Sequence, residues 1–256
     1  MRLSLSARLD RWLAPAPDPA RAGFLKTTSY AHRGLHGQGL IENSRAAARA
    51  AIAAGHGIEC DVQAAADGEA FVFHDALLDR LTGERGALAD RTPAALAAIR
   101  LAGTDETLPR LTELLDLIGG RVTLLIEVKA RNTQVGRLCR SVLDALLGYE
   151  GPTAVMSFNP EVGHWFAVNA PGVVRGLVMT EERDHGWRGR LRRHAALWRA
   201  KPDFLAYDVR DLPSRFAAAQ RARGLPLLTW TVRSEAARQI AVAHTDAIIY
   251  ERPVAG

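Results

Sequence analysis

The chain has 256 residues, of which 48% are hydrophobic and 24% charged, the balance of a soluble globular protein with one large core. No uncharged run approaches the ~20 apolar residues that cross a bilayer, and the net charge of +5, from 33 Lys and Arg against 28 Asp and Glu, comes without a nucleic-acid-binding motif. These numbers exclude a membrane-spanning helix and give no support to a DNA- or RNA-binding protein.

The first residues carry arginines but not the ~7–15-residue apolar stretch and cleavage site of a signal peptide. Leu5, Leu9, Trp12 and Leu13 recur at i, i+4, i+7 and i+8, with Arg2, Arg8 and Arg11 around the rest of the wheel, which predicts an amphipathic helix. A helix packed across one end of the domain is the favoured reading, and a basic helix lying on a membrane is the alternative. The run Ala14-Pro15-Ala16-Pro17-Asp18-Pro19 ends it, since proline lacks the N–H donor and restricts its predecessor.

From residue 28 short apolar runs alternate with segments of helical period. Strands are predicted at 28–32, 57–62, 122–129, 153–158, 173–179, 204–209, 226–232 and 247–250, and helices at 43–54, 111–118, 133–147, 160–169, 188–200, 213–223 and 234–243. Eight strands alternating with helices make a closed (β/α)8 TIM barrel the economical α/β architecture, a single domain over residues 1–256 with an N-terminal extension over 1–27. An open doubly wound sheet is the competitor, but Gly34-Leu35-His36-Gly37-Gln38-Gly39 has the wrong spacing for a dinucleotide turn.

One place breaks the alternation. Asp67-Gly68 signals a tight turn, residues 70–74 read as a strand returning beside the second one, and about 75–110 form an insertion capping the barrel mouth, a loop length that usually serves function. Farther along, Arg188, Arg190, Arg192, Arg193, Arg199 and Lys201 cluster with Trp187 and Trp198. A solvated helix face is the expected reading, and an anionic membrane or phosphate-rich surface is the alternative. The two cysteines, Cys60 on a strand and Cys139 on a helix, make no disulfide framework, which favours the reducing cytoplasm.

The chemistry concentrates at strand ends. Glu59 and Asp61 stand at i and i+2, so both point to one face and Cys60 points away from it. Glu127 and Lys129 repeat the spacing on the following barrel strand. Glu127 sits in the apolar run Leu124-Leu125-Ile126 and Val128, and a buried charge there needs a partner or a metal. An all-oxygen set of Glu59, Asp61 and Glu127 suits a divalent cation, Mg2+ or Ca2+, better than zinc. His32 and His74 flank this cluster as proton-transfer candidates, and Arg33 and Lys129 are cations suited to phosphate oxygens. His36, His56, His164, His185, His194 and His244 lack such placement and read as structural or exposed.

The ordered set His32-Arg33-Gly34, Glu42-Asn43-Ser44, Gly57-Ile58-Glu59-Cys60-Asp61-Val62, Asp67-Gly68, His74-Asp75, Leu81-Thr82-Gly83, Glu127-Val128-Lys129 and Trp230-Thr231-Val232 resembles the glycerophosphodiester phosphodiesterase family. The resemblance implies a TIM barrel with a small insertion after the second strand, a divalent cation, and hydrolysis of a small-molecule glycerophosphodiester to glycerol 3-phosphate and an alcohol. By position it implies that His32 and His74 form the acid/base pair, Glu59, Asp61 and Glu127 the metal ligands, and Arg33 and Lys129 the phosphate contacts. It also places Glu42 at the site, with Phe158 and Trp230 walling the pocket; filling the barrel core is the alternative for both aromatics. Ile41 stands where the family usually has proline, Ser44 where it has threonine, and Glu251 where aspartate is common. A lysophospholipase D- or phospholipase C-like enzyme at a membrane surface, with peripheral membrane contact, is the alternative function, and a non-catalytic phosphate-ligand binding protein the third.

Overall fold

A computed structural model describes residues 5–182 and 186–252. Arg2 and His185, singled out above, lie outside the described residues.

In chain order the elements are α1 (Leu5–Leu13), α2 (Pro19–Ala22), β1 (Tyr30–Ala31), α3 (Arg45–Ala53), β2 (Gly57–Ala64), β3 (Ala70–Val72), α4 (Pro93–Ala98), α5 (Leu111–Ile118), β4 (Leu124–Val128), α6 (Gly136–Leu146), β5 (Thr153–Ser157), α7 (Pro160–Asn169), β6 (Val174–Met179), α8 (Trp187–Ala200), β7 (Phe204–Asp208), α9 (Arg215–Ala222), β8 (Leu227–Val232), α10 (Glu235–His244) and β9 (Ala247–Tyr250). The residues divide into two compact units, one holding Tyr30–Thr153 and the other the described parts of Met1–Ser29 and Ala154–Pro253.

In the unit of residues 30–153, β2 is flanked by parallel β1 and β4, while β3 returns antiparallel along its end, pairing Val62 with Val72 and Ala64 with Ala70. Every residue of β4 is buried, as befits a strand covered on both faces. Helix α3 starts where the Ser44 hydroxyl accepts the Ala47 N–H at 3.0 Å, an N-cap. The segment after β3 carries its own small core, in which Leu78, Leu88, Leu96, Leu101 and Leu108 pack with Phe71 and Phe73. That core explains why a segment without a barrel strand is ordered: its leucines bury apolar surface locally.

In the other unit β5, β6, β7, β8 and β9 are parallel neighbours in sequence order, and their core includes Leu177, Leu197, Leu205, Tyr207 and Leu227. Arg21, from α2, places its guanidinium on buried Asp203 at 2.9 and 3.1 Å just before β7. Glu251 is held by Arg233 through two ion-paired contacts of 2.6 and 2.8 Å, so the longer acid at this family departure has a partner of its own.

Helix α1 forms as predicted and packs on α8, through a polar contact. Its buried side chain is Asp10, whereas Leu5 and Trp12 are 74% and 77% exposed. Asp10 accepts from His194 Nδ1, Trp198 Nε1 and Gln220 Nε2, each at 2.8 Å. Three donors offset the cost of burying one carboxylate, while Leu9 and Leu13 are half-buried and Leu5 and Trp12 face outward. His194, read from sequence as structural or exposed, is buried in this network.

Candidate active site

Register builds the acid cluster. Asp61 on β2 lies directly beside Glu127 on β4, and Glu59 beside Leu125. Adjacent strands are about 4.8 Å apart, so Asp61 and Glu127 are brought together by main-chain pairing, and Glu59 joins them from two residues back. All three are buried, with one carboxylate oxygen from each lying within 4.8 Å of the others. Cys60, between the acids, is buried as a free thiol, pushed well above its ordinary pKa by burial and by the carboxylates nearby.

The loop from β1 to α3 closes over this cluster. Arg33 and Asn43 both adopt left-handed backbone, with φ of 55° and 57°, a conformation uncommon outside glycine and concentrated at functional sites. The Asn43 N–H donates to the Arg33 carbonyl at 2.8 Å, pinching the loop. Gly34, with φ +76°, leaves no room for a side chain: a Cβ there would meet Ala47 at 2.9 Å. In this geometry the Arg33 N–H donates to Glu59 Oε2 at 3.0 Å. Its guanidinium reaches Glu42 Oε1 at 2.7 Å and Asp61 Oδ2 at 3.1 Å.

Lys129 Nζ lies 2.8 Å from Asp61 Oδ1 and 2.5 Å from Glu127 Oε1. Burial alone would raise the Asp61 pKa, but Lys129 and Arg33 overcome it and hold the carboxylate down at about 2. Glu59 is pushed well up by burial and by the charges of Asp61 and Glu127, and Glu127 is raised by burial and Asp61 against the pull of Lys129. Burial would lower the Lys129 pKa, yet the two acids keep it above its ordinary value.

Both predicted imidazoles border the cluster. His32 Nε2 is 3.8 Å from Glu59 Oε2. His74 follows β3, its carbonyl accepting from Gln63 Nε2 at 2.7 Å. Its Nδ1 meets Asp75 Oδ1 at 2.7 Å, an orienting contact that leaves Nε2 for proton transfer. Burial, with Lys129 and Arg33, lowers the His74 pKa against the opposing effect of Asp61 and Asp75.

The sequence reading missed three members of this arrangement. Arg80 places Nε on Asp75 at 2.5 Å and its two terminal nitrogens on Glu42 at 3.0 and 2.7 Å, tying the His74 side to the Arg33 side. Asn43 and Asp75 lay within the quoted motifs, but their hydrogen bonding to Asp61 and His74 was not drawn from them. Phe158 and Trp230 belong to the other unit, where they meet edge to face at 5.3 Å. Phe158 is 45% exposed, so it does not fill the core, and Trp230 Nε1 donates to the Ala206 carbonyl at 3.0 Å.

The donor set fits a hard divalent cation. Glu42, Glu59, Asp61, Asp75 and Glu127 are five acids against the three cations Arg33, Arg80 and Lys129, an excess of two negative charges when all are ionised. Glu59 Oε1 is buried without a hydrogen-bond partner, an arrangement that costs free energy unless a cation meets it. Oxygen-only ligands of this kind suit Mg2+ or Ca2+ chemistry over that of softer metals.

Similarity to known proteins agrees with this geometry. A glycerophosphodiester phosphodiesterase from Caldanaerobacter subterraneus subsp. tengcongensis is 28% identical over 242 residues, spanning 90% of this chain and 96% of its relative. The structure of an Oleispira antarctica phosphodiesterase in complex with the product sn-glycerol-3-phosphate superposes with a TM-score of 0.75 at 23% identity, covering 87% of this chain and 92% of that one. A glycerophosphodiester phosphodiesterase from Thermotoga maritima gives 0.71 at 22%, covering 87% and 93%. These likenesses show the fold, a (β/α)8 barrel. The model of the glycerophosphoryl diester phosphodiesterase family matches residues 32–255, and the chain therefore belongs to that family of phosphoric diester hydrolases.

Proposed function

We propose that this enzyme hydrolyses glycerophosphodiesters to glycerol 3-phosphate and an alcohol, with a divalent cation held by Glu59, Asp61 and Glu127 and with His32 and His74 as the acid/base pair. One observation carries the reading: three buried carboxylates converge within 4.8 Å, carry more negative charge than their cationic neighbours offset, and are bordered by two imidazoles. A cation in that cage supplies Lewis-acid stabilisation of charge on non-bridging phosphate oxygens. The Oleispira relative binds glycerol 3-phosphate as its product, which supports the same substrate class here.

The protein's own groups do the remaining work. Lys129 Nζ is ion-paired with Asp61 and Glu127 and hydrogen-bonded to Glu127, and with three N–H donors it keeps capacity for a phosphate oxygen. Arg33 is locked by Glu42 and Asp61, so its charge is presented without reorganisation. His74, kept neutral near pH 7 by burial and the nearby cations, accepts a proton at Nε2 from the attacking hydroxyl, either water or the glycerol 2-hydroxyl; the latter gives a transient cyclic phosphate that water then opens to glycerol 3-phosphate. His32 protonates the departing alkoxide.

The test is release of glycerol 3-phosphate from glycerophosphocholine and glycerophosphoethanolamine, and of lysophosphatidic acid and choline from lysophosphatidylcholine, with Mg2+, Ca2+ or EDTA. Cation-dependent release from the deacylated diesters is expected. Cleavage confined to the lysolipid would transfer the assignment to a lipid-directed enzyme, and absence of turnover with either metal would overturn the proposal.

A further inference from the structure

Helix α1 buries its acid and leaves part of its apolar face exposed. Its only acid, Asp10, is buried under three hydrogen bonds, while Leu5 and Trp12 stand 74% and 77% exposed. Two of those bonds come from His194 and Trp198 of α8, which presents a matching surface: Trp187 is 63% and Leu191 56% exposed. Two of the chain's five tryptophans thus project from one pair of packed helices. Tryptophan and leucine rarely spend so much apolar area on water when another arrangement could bury it.

Charge on the same pair has one sign. Arg8 and Arg11 of α1, and Arg188, Arg190, Arg192 and Arg199 of α8, are exposed. Apart from buried Asp10, neither helix contains an acid. Arg199 is engaged by Glu161 at 2.8 and 2.7 Å, and Arg188 lies over the Trp187 ring at 5.3 Å. On the inner side, α1, α8 and the start of α9 border an open cavity of about 760 Å3 reached by Asp10, Arg193 and Phe216. The helices are therefore joined by polar contacts across their inner faces, while Leu5, Trp12, Trp187 and Leu191 stay exposed.

We propose that the α1–α8 face docks the enzyme on an anionic lipid bilayer, with Leu5, Trp12, Trp187 and Leu191 entering the interfacial layer and Arg8, Arg11 and Arg188 neutralising lipid phosphates. Exposed indole rings suit the headgroup boundary, where one edge is apolar and the other wet. Arginines flanking them match the negative surface potential, each strengthening binding by roughly fivefold. Such a surface combines two weak signals, apolar insertion and charge, as reversible membrane attachment requires. The assignment uses no step of the catalytic reading and stands or falls separately from it.

The test is co-sedimentation of the full chain with vesicles of phosphatidylcholine alone and of phosphatidylcholine with about one-third phosphatidylglycerol. Binding to the anionic vesicles, weakened by salt and accompanied by a blue shift of tryptophan emission, is expected. R8Q/R11Q/R188Q should reduce affinity by about a hundredfold, and W12A/W187A should abolish the blue shift. All these side chains are exposed, so circular dichroism and thermal melting of both variants should match the parent. Three results would each overturn the proposal: no binding to anionic vesicles, binding that the folded variants retain in full, or light scattering showing a dimer that W12A/W187A converts to monomer, which would assign the face to a second copy of the chain.

Discussion

Asn43 grips Asp61 at both ends: its Nδ2 donates to the carboxylate Oδ2 at 3.0 Å, and its Oδ1 accepts the Asp61 backbone N–H at 3.2 Å. Both residues are buried, so neither bond is exchanged for water when lost. Asn43→Ala should cost about 1–3 kcal/mol of stability and weaken binding of the proposed divalent cation roughly 10–100-fold. Denaturant melts and calorimetric metal titration measure the two effects; wild-type metal affinity in the folded variant would show that Asp61 needs no such orientation.

Asp75 should set the pH dependence. Its carboxylate favours the protonated imidazole of His74, opposing burial and the two nearby cations. Asp75→Asn removes that opposition, so the His74 pKa falls further. If His74 is the base, the acid limb of the kcat/KM profile moves to lower pH, while kcat drops because the ring loses its orientation. A profile displaced to higher pH would contradict this account. His74→Ala should lose about 10²–10⁴-fold in kcat, and retention of activity would remove His74 from proton transfer.

Metal-free protein should lose stability as pH rises. Glu59 and Glu127 have folded pKa values above their ordinary 4.5, so above that pH the native state holds more protons than the unfolded chain. Stability therefore falls with increasing pH until the raised values are passed. Glu59→Gln should be nearly neutral at about pH 4.5 but stabilising at about pH 8 relative to metal-free parent, and adding Mg2+ or Ca2+ should flatten the parent's slope. Melting curves in EDTA across this window decide it; a parent that gains on Glu59→Gln with rising pH would refute the assigned charge conflict.

Gly34→Ala tests the loop. A left-handed φ and a 2.9 Å approach to Ala47 backbone and side chain leave the substitution strained on two counts. A loss of about 1–3 kcal/mol is expected, together with reduced activity, since Arg33 and Glu59 meet through this turn. Parent-like stability would mean that α3 yields readily.

Strand and helix positions were largely legible because apolar periodicity and burial are local properties. Helices at Leu111–Ile118 and Pro160–Asn169 and the strand at Ala247–Tyr250 fall where the pattern places them. The acid cluster was legible for the same reason: alternation puts Glu59 and Asp61 on one face, and a charge inside an apolar strand marks Glu127. Arg80 was not, because its link to Glu42 spans 38 residues through a loop with no period. The contact that seats α1 was not legible, because a helical wheel counts apolar residues but does not show that His194, Trp198 and Gln220 converge on Asp10.

The acid cage and the imidazole His74 have different supports. Glu59, Asp61 and Glu127 are borne by paired strands whose spacing cannot change without breaking the sheet, whereas His74, Asp75 and Arg80 ride on the segment leaving β3, which owns a separate leucine core. The three acids and the His74 imidazole are thus borne by physically separate parts of the chain, so a change in the loop after β3 can move His74 without disturbing the spacing of Glu59, Asp61 and Glu127.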